Sequence, residues 1–455
     1  MGMRERRNHN VGMASQSFPT IRRSLLMRVL CPVVFWCLLS NCCIAPRLEA
    51  QSAPPDSLTV EQAVQGALES NLELLAERYN VTIAEARVIT ARLRPNPVLS
   101  LSTALPDHGI FHSGTSPFAE VAHLDFVFER GGKRQHRLEV AENARAVARL
   151  QLLNTVRTVI LDVQTACVDV LLAKANLALA QENLQAFNDI VQVNAARVRA
   201  GDLAPVELER TRLAALQFQN EVRQKESNLL IAHNQLQTLL GRHLPAPLID
   251  LVGDLRRDSQ PASVEAVHQQ ALELRPDLQA LVRDQARSAA ELRLQIAQGT
   301  VDYTIGAEYQ RQQSNLKEGN QFGLSFNVPL PVFNRNQGEI ERAGQEQEQI
   351  AAKIRALEAD IRKEVQNAYQ QYTTAHDLLQ RIEQDMLEQA ADVRQTMEYS
   401  YRRGQSSFVE FLEAQRAFND TRQSYNEARA EYARSLYLLD AVSGKAVSQG
   451  GHRCG

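Results

Sequence analysis

Beyond residue 45 the chain holds only two cysteines, Cys167 and Cys454, which excludes a disulfide framework and a CxxC metal site. The other four, Cys31, Cys37, Cys42 and Cys43, crowd into the first 45 residues. Charge of one sign is missing too: 50 Lys and Arg face 53 Asp and Glu, a formal net charge of -3, and nothing points to nucleic acid. Aromatics make up 5% of the 455 residues and glycines number 21, which argues against an ordinary α/β enzyme. HExxH, GxSxG, a Walker A loop and a GxGxxG after a strand are all absent. No catalytic residue, no resident metal and no cofactor is therefore assigned. Ala, Leu, Gln, Arg and Glu dominate long stretches instead, the composition of long helices and coiled coils.

Long hydrophobic runs are scarce. One lies near the start, from Val29 to Leu39, with Arg22, Arg23 and Arg28 before it. It is short for a membrane span and interrupted by Pro32, and it reads as part of a signal peptide over residues 1–50, cleaved after Ala50. A start at Met13 or Met27 would give a more usual basic region. Leu39-Ser40-Asn41-Cys42 resembles a lipoprotein cleavage box only in part, because Asn41 replaces the expected small residue. No later run reaches 18 apolar residues, so the mature chain is expected to carry no transmembrane helix.

What remains is repetitive. Val60-Glu61 and Ala67-Leu68-Glu69 recur as Val264-Glu265 and Ala271-Leu272-Glu273, and Gly201 to Glu207 aligns with Gly404 to Glu410. Two tandem halves follow, residues 58–241 and 262–444, joined by a Pro- and Gly-bearing linker over 242–261 and followed by a tail over 445–455. Each half reads as a helix of roughly 30 residues, two strands, a very long helix and a further helix. In the first long helix Val159, Val163, Ala166, Val170, Ala173, Leu177, Ala180, Leu184, Phe187 and Val191 recur at steps of four and three, a coiled-coil seam. Val365, Ala368, Tyr372, Ala375, Leu379, Ile382 and Met386 repeat it. Neither Pro nor Gly interrupts Lys133 to Ala200, so that helix would reach about 100 Å, too long for a compact domain.

The strands alternate. Phe322, Leu324, Phe326, Val328 and Leu330 oppose Gln321, Gly323, Ser325 and Asn327, and Tyr303, Ile305, Ala307 and Tyr309 oppose Asp302, Thr304, Gly306 and Glu308. Leu99, Leu101 and Leu105 oppose Ser100 and Ser102; Ala122, Leu124, Phe126 and Phe128 oppose His123 and Asp125. Alternation alone suits either amphipathic hairpins on a soluble core or outer-membrane barrel strands. The signal peptide and the long helices favour the barrel. Four strands cannot close one, and lipid forbids an open edge, so oligomers are expected, with eight strands from two copies or twelve from three.

This two-fold order of helix, hairpin, long helix and helix, with a Gly turn followed by Val-Glu, resembles the TolC family of outer membrane efflux proteins from about Leu58 to Gly444. The resemblance implies a mainly α fold with a small β part: a homotrimeric α-barrel of antiparallel coiled-coil helices, continuous with a 12-stranded transmembrane β-barrel. It implies a duct in outer membrane lipid, with its helical tunnel in the periplasm, that works with a periplasmic adaptor and an inner-membrane RND pump. Phe128-Glu129-Arg130-Gly131-Gly132-Lys133-Arg134 resembles the CzcC-like heavy-metal branch, although Glu129-Arg130 departs from the acidic-apolar pair expected there. Drugs or secreted protein are the alternative cargo. A periplasmic coiled-coil adaptor is the alternative class, but it should show one hairpin between β-rich domains rather than two equivalent halves.

The resemblance also supplies site residues. Gly201 and Gly404 read as C-cap turns, and in the family such turns form the periplasmic tip where the adaptor docks. Glu410 and Glu413 match gate positions where acidic residues ring the narrowest aperture, and their mutual repulsion should raise some of their pKa values. Tyr401 and Glu207 match positions that join neighbouring helices in the closed state. The usual basic partner is replaced by Ser406, leaving Arg402 or Arg403 for that bonding. His108 and His112 lie in a Gly-, Ser- and Pro-rich loop, where a spacing of four does not align side chains as on a helix, and read as solvated, while His123 should sit on the polar strand face. Cys167, beside the seam, reads as a small buried residue.

Overall fold

The structure, a computed structural model, describes residues 57–104, 118–245, 247–258, 263–313 and 318–445; the region read as a signal peptide, and His108 and His112, lie outside these. A short strand β1 (Ser57–Leu58) leads into α1 (Val60–Ser70), α2 (Leu72–Arg92), β2 (Val98–Ala104), β3 (Phe118–Phe128), α3 (Lys133–Ala200) and α4 (Pro205–Leu239). The second half runs β4 (Asp250–Leu251), α5 (Val264–Leu274), α6 (Pro276–Gln298), β5 (Tyr303–Gln313), β6 (Glu318–Asn327) and α7 (Gln337–Arg381). A π-helical turn (Ile382–Met386) then leads into α8 (Leu387–Arg402) and α9 (Phe408–Val442).

Helix α3 runs unbroken for 68 residues between Gly132 and Gly201, both left-handed. Its seam packs as the steps of four and three require: Val159, Val163, Ala166, Val170, Ala180 and Phe187 are buried. The roughly 30-residue opening helices are each broken in two. Asn71 leaves the helical conformation, its Oδ1 accepts the N–H groups of Glu73 and Leu74, and its amide donates to the Leu239 carbonyl. Arg275 holds the matching place, and Pro276 suits the first helical position of α6 because no N–H is needed there. The second long helix also differs from its expected uniform form. Its seam is buried from Val365 to Ile382, but the π turn shifts the phase and leaves Met386 exposed. The linker is more than a tether, since β4 pairs in parallel with β1.

Near the sheet the helices stand in the row α2, α3, α6, α7; away from it α4 and α9 flank α3, and α8 lies on α9. One core joins Ala63, Ala67, Val163, Cys167 and Leu236; a second joins Ala271, Ile361, Val365, Tyr372 and Leu436. A third, under the far turns, gathers Phe187, Phe218, Tyr401, Phe408 and Phe411. Each such fully buried ring contributes about 1.5–3 kcal/mol.

The four longer strands form one antiparallel sheet in the order β2-β3-β5-β6, so the central β3–β5 pair joins the halves. All four attach to helices at the same end. Register lines up one face in rows: Leu101, Ala122, Tyr309 and Phe322; then Leu99, Leu124, Ala307 and Leu324; then Phe126, Ile305 and Phe326; then Phe128 and Tyr303. This face is bare, with Leu324 88% and Phe322 84% exposed. Aromatic pairs mark both ends of the band, Tyr309 with Phe322 and Phe128 with Tyr303. Beyond the first pair the same face turns polar, at Thr103, Glu120, Arg311 and Asn320. β6 ends at Asn327, short of the Leu330 reached by the alternation, because Pro329 follows.

Candidate gate at the helical tip

Both long hairpins turn at the end opposite the sheet. α3 stops because Gly201 takes φ 81°, with the Asp202 N–H donating to the Arg197 carbonyl, and Pro205 opens α4. In the second hairpin Gly404 takes φ 75°, the Gln405 N–H donates to the Ser400 carbonyl, and Ser407 caps α9. The repeated Val-Glu places Glu207 and Glu410 alike at the third position of their helices, where the helix dipole favours a carboxylate.

Glu410 closes a capping box: its Oε2 accepts the Ser407 N–H at 2.8 Å and the Ser407 hydroxyl at 3.0 Å. Those two bonds hold its carboxyl below the usual glutamate range. Within one chain the sign is thus opposite to the rise expected from crowding, because Glu410 finds donors before it finds another carboxylate. Glu413 is exposed one turn on. Glu207 accepts from Arg210 of its own helix at 2.9 Å. Arg402 bonds Glu398, and the Arg403 guanidinium lies 4.5 Å from the Tyr399 ring centre. In the single chain neither arginine reaches Tyr401 or Glu207.

Tyr401 does join helices. It is buried, stacked on Phe411, and its hydroxyl accepts from the Asn194 amide at 2.7 Å. The same amide donates to Thr211 Oγ1 at 2.8 Å, so one fully buried Asn bolts α3, α4 and α8 together beneath the turns. Sequence reasoning missed Asn194. Its signal was available, for it continues the α3 seam seven residues beyond Phe187, and a polar seam residue specifies register.

On the polar face of the sheet His123 stands between two carboxylates, Nε2 2.8 Å from Asp125 Oδ1 and Nδ1 3.4 Å from Glu308 Oε2. Gly306 makes room for them, since a Cβ there would lie 2.7 Å from His123 Nε2 and 2.6 Å from Asp125 Oδ1. Among the described residues no group of three or more His, Cys, Asp or Glu is disposed to hold a metal ion. Burial pushes the Cys167 thiol up to about 12, which leaves it an unreactive packing residue.

The family model described as outer membrane efflux protein matches residues 63–242 and 267–445, both halves of the chain. The chain belongs to that family. Outer membrane efflux proteins are transport channels rather than enzymes, and they act as trimers with an adaptor and an inner-membrane pump. Among curated relatives, the cobalt-zinc-cadmium resistance protein CzcC of Cupriavidus metallidurans is 24% identical over 407 residues, covering 88% of this chain and 93% of CzcC. CusC, whose crystal structures concern folding and transmembrane channel formation, superposes with a TM-score of 0.71 at 18% identity, covering 85% of this chain and 92% of CusC. The CmeC outer membrane channel of Campylobacter jejuni gives 0.68 at 15% identity, covering 86% and 88%. The efflux-protein fold therefore extends over nearly all the described residues.

Proposed function

We propose that three copies of the chain close into a 12-stranded β-barrel in the outer membrane, continuous with a helical tunnel through the periplasm, and that this duct carries heavy-metal cations outward. The carrying observation is the sheet: an exposed apolar band with aromatic ends, a polar opposite face, and two edge strands, β2 and β6, each paired on one side only. Lipid tolerates such a sheet only when its edges are closed. The helices support a ring as well. Val206, Leu213, Leu216 and Leu230 stand exposed on α4, while Leu378, Met386, Val393 and Tyr399 stand exposed from α7 to α8. These stripes lie on different helices, which suits head-to-tail closure.

The tip turns at Gly201 and Gly404 dock the periplasmic adaptor of an RND pump, and Glu410 and Glu413 ring the aperture below, with Tyr401 and Glu207 beside it. Cation cargo is favoured by the relationship to a cobalt-zinc-cadmium resistance protein and by His123, Asp125 and Glu308 on the polar face. Deleting the gene tests the reading: sensitivity to zinc, cobalt and cadmium should rise while sensitivity to dyes and detergents stays level. The reverse pattern would assign the duct to drugs.

A further inference from the structure

The two halves differ where strand meets helix. β3 reaches α3 through four residues, whereas β6 reaches α7 through nine, Val328 to Asn336. The longer connection is firmly built. Arg335 donates its Nε to the Pro331 carbonyl and its backbone N–H to Gln337 Oε1; Gln337 donates to the Phe333 carbonyl, and Asn336 to the Gln295 carbonyl. Gly299 admits the Arg335 carbonyl, which would lie 2.7 Å from a Cβ there. Yet this hydrogen-bonded knuckle holds its apolar side chains away from the chain, with Phe333 90%, Leu330 80% and Val332 61% exposed. Among the described residues nothing covers them.

Its position narrows the occupant. The knuckle joins edge strand β6 to α7, at one end of both the sheet and the helix row. At the opposite end, and at the same level, α2 runs into edge strand β2, and there Ile89, Leu93 and Val98 are exposed. Charge agrees with the shape. Among the described residues Arg87, Arg92 and Arg94 make no ion pair, nor do Glu341 and Glu348 of α7. Because α2 approaches the sheet and α7 leaves it, these groups would face each other between antiparallel helices of adjacent copies.

We propose that the knuckle of one copy seats on the α2–β2 junction of the next, an interchain clasp where barrel meets tunnel. It rests on the head-to-tail ring, and the test separates the two. Leu93→Cys and Phe333→Cys, combined with Cys454→Ser, should give covalent dimers and trimers on oxidation of the detergent-solubilised protein, and neither single variant should. The mass of the unaltered protein in the same detergent reads the ring alone. A trimer whose cysteine pair stays unlinked, or whose Phe333→Cys is labelled by a lipid-phase reagent, overturns the clasp and leaves the ring. A monomer overturns both. As a second reading, Leu330→Asp with Phe333→Asp should abolish the trimer band that survives mild detergent electrophoresis, with the far-UV spectrum preserved; an undiminished band also overturns the clasp.

Discussion

Asp277 lies between two buried arginines from opposite halves of the fold. Arg275 donates to it at 2.6 and 3.1 Å and also reaches Glu364, while Arg157 stands 4.0 Å away and donates to the Ala441 carbonyl. Burial pushes the Asp277 carboxyl up, but the Arg275 hydrogen bonds and both guanidinium charges outweigh it and hold the group below its usual 3.8. A depressed carboxylate pKa adds stability above the unfolded value and loses it as pH falls through the folded one. Acid unfolding that begins below 3.8 should therefore depend on Asp277. Asp277→Ala should cost about 3 kcal/mol at neutral pH by denaturant titration, since the buried Arg157 loses its nearest carboxylate and Arg275 keeps only Glu364. At the tip, Glu410→Gln with Glu413→Gln keeps an acceptor for the Ser407 cap and removes the charge, six carboxylates from a trimer. Cation selectivity in planar bilayers should fall; unchanged selectivity would leave Glu410 as a helix cap alone. Asn194 could be read as a polar position on the α3 seam, but neither its bond to Tyr401 nor the Asp277 cluster was legible in the sequence, because the partners lie far along the chain: Tyr401 is 207 residues from Asn194, and Glu364 is 89 from Arg275.

Among the elements, helix ends were easier to read than helix interiors. Gly201 and Gly404 announce their turns, and the absence of Pro and Gly announces α3. The break at Asn71 was hidden because an Asn also fits an exposed helix position, and the π turn at Ile382–Met386 contains no breaker at all. The ends themselves are not equivalent. An Ala at Gly201 would meet nothing within 4 Å, so Gly201→Ala should cost only the left-handed penalty of about 1–2 kcal/mol. At Gly241, also left-handed at φ 68°, a Cβ would lie 2.1 Å from the Ser70 carbonyl oxygen. Gly241→Ala should therefore cost about 3 kcal/mol or more, because α1 must move away from α4. Thermal unfolding of the two variants side by side checks the order.

For the molecule as a whole, the proposed ring makes a simple demand: in mild detergent the protein should have the mass of three chains, and no soluble monomer should be recovered without detergent. Light scattering decides it. The sheet behind this prediction was largely legible, since alternation placed Phe322, Leu324 and Phe326 on one face and the structure leaves that face bare. The order of the strands was not, because the β3–β5 pairing that joins the halves is set by the packing of α3 against α6, contacts that no local pattern encodes.

The bare face also bears on how such a chain travels. Machinery that threads polypeptides through the inner membrane releases a segment sideways into lipid when roughly twenty successive residues are oily enough. In β6 every oily residue is followed by Gly, Ser or Asn, as in Phe322-Gly323-Leu324-Ser325-Phe326-Asn327, and β3 interposes His123 and Asp125 in the same way. Averaged along the chain, the face that the proposed barrel turns to lipid is therefore disguised, and its greasiness emerges only when pleating sorts odd from even residues. On the proposed reading, the protein passes one membrane as an ordinary polar thread and reveals its affinity for another only after folding.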